Sequence, residues 1–134
     1  MNIGEVAKLT GLSAKSIRLY EEKKLIQQPS RTEAGYREYS QKHIQQLVLI
    51  SRAKNAGFSL LECKEFVQLA ENPKRMSKQV KGHAEQKLKE VELKIQQLEE
   101  IRKQLELWVS SCPGNEGSAC PIMDDLTHNK KTDN

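Results

Sequence analysis

VAKLTGLSAKSIRLYEEKKLI, residues 6–26, carries the reading that decides the fold. Ile3, Val6, Ala7 and the later Leu12 keep helical spacing, and Gly11 stops the first helix. Ser13 then caps a second helix over residues 14–23, with Ile17 and Tyr20 three apart on one face. Two short helices joined by a glycine-containing turn form a helix-turn-helix. The second helix carries Lys15 and Arg18 on the side away from Ile17.

The next stretch, LIQQPSRTEAGYREY (residues 25–39), reads as a small β-hairpin or wing. Pro29 ends regular structure, and Gly35 supplies the positive φ that the turn after Glu33 and Ala34 needs. Ser40 caps a third helix over about 41–56, with Ile44, Leu47, Val48, Leu49 and Ile50 apolar and Gly57 beyond its end. Ser59 and Glu62 make a capping box for a fourth helix over about 60–71, with Phe58 placed to staple onto Cys63. Asn72-Pro73 breaks that helix.

From Ser77 to Ser110 there is no proline and one glycine, Gly82. Ala84, Leu88, Val91, Ile95, Leu98, Leu105 and Val109 recur at intervals of four and three, interrupted at Arg102. That is a heptad seam on a helix of roughly 45–50 Å. A seam of that length cannot be buried on so small a head, so a second copy of the chain is expected against it. The competing reading is a charged, solvent-bridging helix. After the seam the sequence turns short and glycine-rich, CPGNEGSACPIMDDL, and ends in the polar THNKKTDN, expected to be disordered.

Composition fits this layout. In 134 residues, aromatics are 4% and charged residues 30%, which suits helices that bury stripes against a partner better than a large monomeric core. The net charge of +4 is uneven: residues 1–58 hold ten basic and five acidic side chains, leaving −1 for the remainder. A basic head suggests a polyanion. No leader pattern opens the chain and no apolar run reaches ~18 residues, so a cytoplasmic protein is expected, with its three cysteines free, metal-binding or redox-active. No nucleophile–base pair and no phosphate-cradling glycine loop is evident, so an enzyme is not expected.

A helix that reads DNA needs long donors for base edges, and its flanks need cations and hydroxyls for phosphates. Lys15 and Arg18 suit the first task; Tyr20, Arg31, Tyr36, Arg37 and Lys54 suit the second. From charge alone a solvated basic face would read the same way. The run VAKLTGLSAKSIRLYEEKKLI…R…GYREYS resembles the amino-terminal signature of the MerR family of transcription regulators, and residues 1 to about 126 are similar to its copper-efflux branch. The resemblance places the same seven residues at positions where family members contact DNA. It implies a mainly α fold with a winged helix-turn-helix head and a helical pair (1–71), a long antiparallel coiled-coil dimerisation helix (77–110), and a carboxy-terminal metal-binding loop and tail (111–134). Two departures stand out. Lys24 occupies a position where relatives usually carry glycine, and Ala34 replaces a common wing asparagine. A lysine held at positive φ costs about 1 kcal/mol.

Cys112 and Cys120 flank seven turn-forming residues that can bring the two sulfurs together. A reversible disulfide, an inert surface pair and thiolate metal binding all remain open. Zinc normally takes four ligands, and the loop offers no histidine or further cysteine. His43, His83 and His128 read as surface histidines, and Cys63 as a small core residue. Two thiolates suit a soft ion of low coordination, Cu(I) or its congeners Ag(I) and Au(I). Together they leave a charge of −1 that a helix N-terminus could stabilise.

The resemblance adds that Ser77 falls where divalent-metal sensors of the family carry a third cysteine, which disfavours larger coordination numbers here. It further implies a homodimer on promoter DNA that works with RNA polymerase at copper-export genes by bending and untwisting an over-long promoter spacer. The rival readings are a thiol-redox regulator of the same fold and a copper carrier that does not bind DNA.

Overall fold

A computed structural model describes residues 1–128. The protein is mainly helical, in the order α1 (Ile3–Thr10), α2 (Ala14–Glu22), β1 (Ser30–Arg31), β2 (Arg37–Glu38), α3 (Gln41–Asn55), α4 (Leu60–Glu71), α5 (Ser77–Ser111) and α6 (Pro121–Thr127). It divides into two compact units, Met1–Lys87 and Leu88 onward.

Local chemistry sets the element boundaries in the first unit. The Asn2 side chain accepts the Glu5 N–H at 2.8 Å while Glu5 accepts the Asn2 N–H at 3.1 Å, which starts α1 with a capping box. Gly11, at φ 73°, ends it. Ser13 Oγ accepts the Ser16 N–H at 3.0 Å to begin α2. At the far end of α2 the Lys24 N–H reaches the Glu21 carbonyl (3.0 Å) and the Leu25 N–H the Tyr20 carbonyl (2.8 Å), the paired bonds of a Schellman motif. Lys24 holds the left-handed position of that motif at φ 61°, so the tight turn is made here with a lysine in it.

The wing is a two-stranded antiparallel pair, Ser30 opposite Glu38 and Arg31 opposite Arg37. Its turn closes by Gly35 N–H to the Thr32 carbonyl (2.9 Å) and Thr32 N–H to the Tyr36 carbonyl (2.8 Å), with Gly35 at φ 89°. The expected Ser59–Glu62 capping box begins α4.

The core of this unit gathers Val6, Ile17, Leu47, Ile50 and Cys63, all fully buried, with Leu25, Ile26, Tyr39 and Val67 around them. The first turns of α5 belong to the same unit. Lys87 Nζ lies 2.9 Å from Glu62 and 5.5 Å from the centre of the Phe58 ring, and His83 lies beside Phe66. Phe58 meets Phe66 edge-on at 4.8 Å.

In the second unit α5 continues without a break, and none of its residues is buried. The seam residues are exposed, from 39% at Val91 to 72% at Val109. Beyond the cysteine loop the sequence reading expected only turns and tail. The chain instead forms α6, with Pro121 in its first turn, where a missing N–H costs nothing. Thr127 closes α6; residues 129–134 of the expected disordered tail lie outside the described residues.

Candidate nucleic-acid interface and metal centre

The head presents most of the expected DNA donors. Lys15 and Arg18 are exposed on α2, and Lys54 is exposed in the last turn of α3. On the wing, Tyr36 is 72% exposed, and Arg31 Nη1 donates to the Gly35 carbonyl at 3.0 Å, bracing the turn from its own side chain. Arg37 is half-buried, its Nε bonded to Glu21 Oε2 at 3.0 Å.

Tyr20 is placed otherwise. It is 5% exposed and packs in the core one helical turn after Ile17, where burial pushes its phenol pKa up. Its position in the structure is that of a core ring rather than of a surface hydroxyl. The alternation that put Ile17 and Tyr20 on one face carried this information, since that face is the buried one.

His43 also departs from expectation: it is 4% exposed, not a surface histidine. Its Nδ1 accepts the Ser40 N–H at 3.0 Å, and its Nε2–H donates to the Gln27 carbonyl at 3.1 Å, so the ring ties the start of α3 to the segment between α2 and β1. His83 is half-buried, its Nδ1 3.5 Å from Glu65. His128 is exposed at the end of α6, as expected.

Glu21 was not singled out from the sequence. It lies four residues after Ile17 on the buried face, 4% exposed, and its carboxylate accepts from both Arg37 and the Tyr39 hydroxyl. A carboxylate at a core position of an amphipathic helix was the available signal, because buried carboxylates need partners.

In the second unit Cys112 and Cys120 are both free, half-buried, and face each other with 3.3 Å between sulfurs. Cys112 follows α5 directly, its N–H bonded to the Trp108 carbonyl at 3.0 Å. Cys120 is the N-cap of α6. The Met123 N–H first, and then the Cys112 thiol, pull the Cys120 thiol below its ordinary range. A thiolate formed at Cys120 would meet the positive end of a helix. Trp108 Nε1 donates to Asp125 at 2.7 Å and pins α6 to the end of α5, so the loop is closed at both ends. Neither Trp108 nor Asp125 was flagged by the sequence.

The donor set fits a soft, low-coordinate ion. Among the described residues no group of three or more His, Cys, Asp or Glu side chains gathers. The sulfur separation exceeds the ~2.05 Å of a disulfide. Cys112 and Cys120 would hold such an ion through their two sulfurs. Ser77 is the first residue of α5.

Against known proteins, residues 1–70 match the model of the MerR HTH family regulatory proteins, and residues 44–108 match the model described as MerR, DNA binding. The chain belongs to the MerR family: it is a DNA-binding transcription regulator and not an enzyme. It is 52% identical over 126 residues to the HTH-type transcriptional regulator CueR of Vibrio cholerae, covering 94% of this chain and 91% of that one.

Among solved structures it is similar to the regulator PbrR691 of Ralstonia metallidurans in complex with lead(II), with a TM-score of 0.82 and 26% identity. That alignment covers 94% of this chain and 98% of the other. It is also similar to HiNmlR bound to promoter DNA, with a TM-score of 0.58 and 26% identity over 82% of this chain and 83% of the other. A head that binds DNA removes the copper-carrier reading. Among the described residues no helix is long and apolar enough to cross a membrane.

Proposed function

We propose that the chain is a Cu(I)-responsive regulator, open also to Ag(I) and Au(I), that activates copper-export genes from promoter DNA as a homodimer. The observation that carries this reading is the pair of free thiols at 3.3 Å, with no third donor gathered beside them among the described residues. Cys112 and Cys120 hold the ion, and the exposed seam of α5 meets a second copy. Lys15 and Arg18 read base edges; Arg31, Tyr36, Arg37 and Lys54 take phosphates. In this reading residues 1–71 bind DNA, 77–110 dimerise, and 111–134 carry the sensor.

Two heads related by a twofold would enter major grooves about one helical turn apart, ~34 Å. Bending and untwisting an over-long spacer between the polymerase elements of the promoter needs extra phosphate contacts in one dimer state. An ion shifts the dimer toward that state only by its differential affinity for it. Ser77 stands a whole helix length, ~50 Å, from Cys112 in its own chain, so in this reading it is the second copy's Ser77, brought to the loop by an antiparallel seam, that offers no third sulfur, and RNA polymerase reads the altered spacer. The protein works in the cytoplasm.

The test is in vitro transcription from a two-half-site copper-export promoter with buffered Cu(I), beside X-ray absorption on the loaded protein. Copper-dependent transcripts and two sulfur neighbours per ion are expected. Three or more protein ligands would overturn the selectivity argument.

The adjacency of the two thiols and the lowered Cys120 also favour a second reading, a dithiol switched by oxidation. Activation by an oxidant in copper-free buffer, lost in Cys112→Ser, would support it instead.

A further inference from the structure

Glu21 is a carboxylate in the interior of a DNA-binding head, on the last turn of the recognition helix. Net charge argues against its presence there, since a negative group beside the docking face repels phosphates. Its partners give it a purpose. Oε2 accepts Arg37 Nε at 3.0 Å, Oε1 accepts the Tyr39 hydroxyl, and the backbone carbonyl of Glu21 accepts Gln28 Nε2 at 3.4 Å. One residue of α2 therefore grips the wing strand, the residue after it and the segment before it. Bonding through Nε leaves both η nitrogens of Arg37 without a hydrogen bond among the described residues, on a side chain 32% exposed.

We infer that Glu21 is a positioning residue for DNA binding: its buried carboxylate fixes the Arg37 guanidinium by Nε so that the η nitrogens are preset for a phosphate. A guanidinium suits this double task because its donors form a rigid fork, one edge for the carboxylate and the other for the phosphate. An ammonium offers a point charge that the nearer carboxylate absorbs. The inference rests on the proposed phosphate contact of Arg37.

The experiment measures operator affinity of the full-length protein against salt concentration, with thermal unfolding as the control for folding. Arg37→Ala should weaken binding about tenfold and flatten the salt slope by about one per head. Wild-type affinity and slope in that variant would overturn the Arg37 contact itself. Glu21→Gln removes one negative charge, so long-range electrostatics alone would tighten binding. Positioning requires the reverse: affinity and slope should fall toward those of Arg37→Ala, and the double variant should be no worse than Arg37→Ala alone. Arg37→Lys keeps the charge and disturbs the core least, and it too should lose the slope. If Arg37→Ala weakens binding while Arg37→Lys and a folded Glu21→Gln both bind as the wild type, Glu21 has no positioning role.

Discussion

The first unit closes its own core, and the second does not. Val6, Ile17, Leu47, Ile50 and Cys63 are sealed in the head, whereas Leu88, Val91, Ile95, Leu98 and Leu105 stand exposed along α5. The cysteines repeat the contrast. Cys63 is fully buried, its thiol pushed up by burial and 3.8 Å from the Ile50 carbonyl. Cys120 lies half-exposed at a helix start, its thiol drawn down by the Met123 N–H. The same side chain is filler in one unit and, in the proposed function, a ligand in the other. What differs is whether apolar atoms or oriented backbone dipoles surround it.

The sharpest way to break the comparison is to charge the seam. Val91→Asp with Leu98→Asp should convert the proposed dimer to monomer in sedimentation and lower affinity for a two-half-site operator roughly a thousandfold, toward non-specific binding. The head should keep its helical signal and its unfolding transition, because neither residue lies in its core. A dimer that survives both substitutions would show that the seam is not the interface.

Next in size is an exchange of effects between cysteines. Cys120→Ser should abolish the response to Cu(I) in transcription while leaving operator affinity unchanged. Cys63→Ser should do the opposite: the response persists, and stability falls by roughly 1–3 kcal/mol because a hydroxyl replaces a thiol in an apolar site. Chemical denaturation reads the second effect.

Alkylation then grades the two environments without mutation. Thiolate, not thiol, reacts, so a lowered pKa brings the Cys120 reaction with iodoacetamide to half its plateau rate at a pH below that of an ordinary cysteine. The raised pKa and burial of Cys63 keep it protonated and slow across the same range. Peptide mapping after a short pulse near neutral pH should find Cys120 labelled well before Cys63. Equal labelling would remove the electrostatic distinction.

The sequence made the head's outline legible because its signals are local. Ser13, Ser59 with Glu62, Gly35 and Asn72-Pro73 each act within one turn of chain, and the elements begin and end where they say. The pairing of Cys112 with Cys120 was legible for the same reason, the loop between them being made of turn formers. Residues whose roles depend on what packs over them were less legible. Tyr20 and His43 carry polar groups that suit a surface, yet the faces they occupy are covered by other elements. Glu21 looked like one more charge in the run EEKK, and only the wing folding back gives it Arg37 and Tyr39. Short α6 was missed because seven residues show too little periodicity, although Cys120-Pro121 followed by an apolar run was a starting signal.

The smallest expected effect lies at the junction that sequence and structure agree upon. Lys24 sits at φ 61°, where its Cβ crowds the backbone and a lysine is held at a cost of about 1 kcal/mol. Lys24→Gly would remove that strain, but glycine also gives the unfolded chain more freedom, which offsets about half of the gain. A net stabilisation of roughly 0.5 kcal/mol should appear in denaturant titration, with an unchanged m-value, because the Schellman bonds of Lys24 and Leu25 are already made. The exposed side chain makes a second measurement informative. If operator affinity falls together with one unit of salt slope per head, the lysine is retained at a strained position as a phosphate contact. If affinity is unchanged, the lysine makes no phosphate contact and the closed core of the head simply holds the strained turn in place.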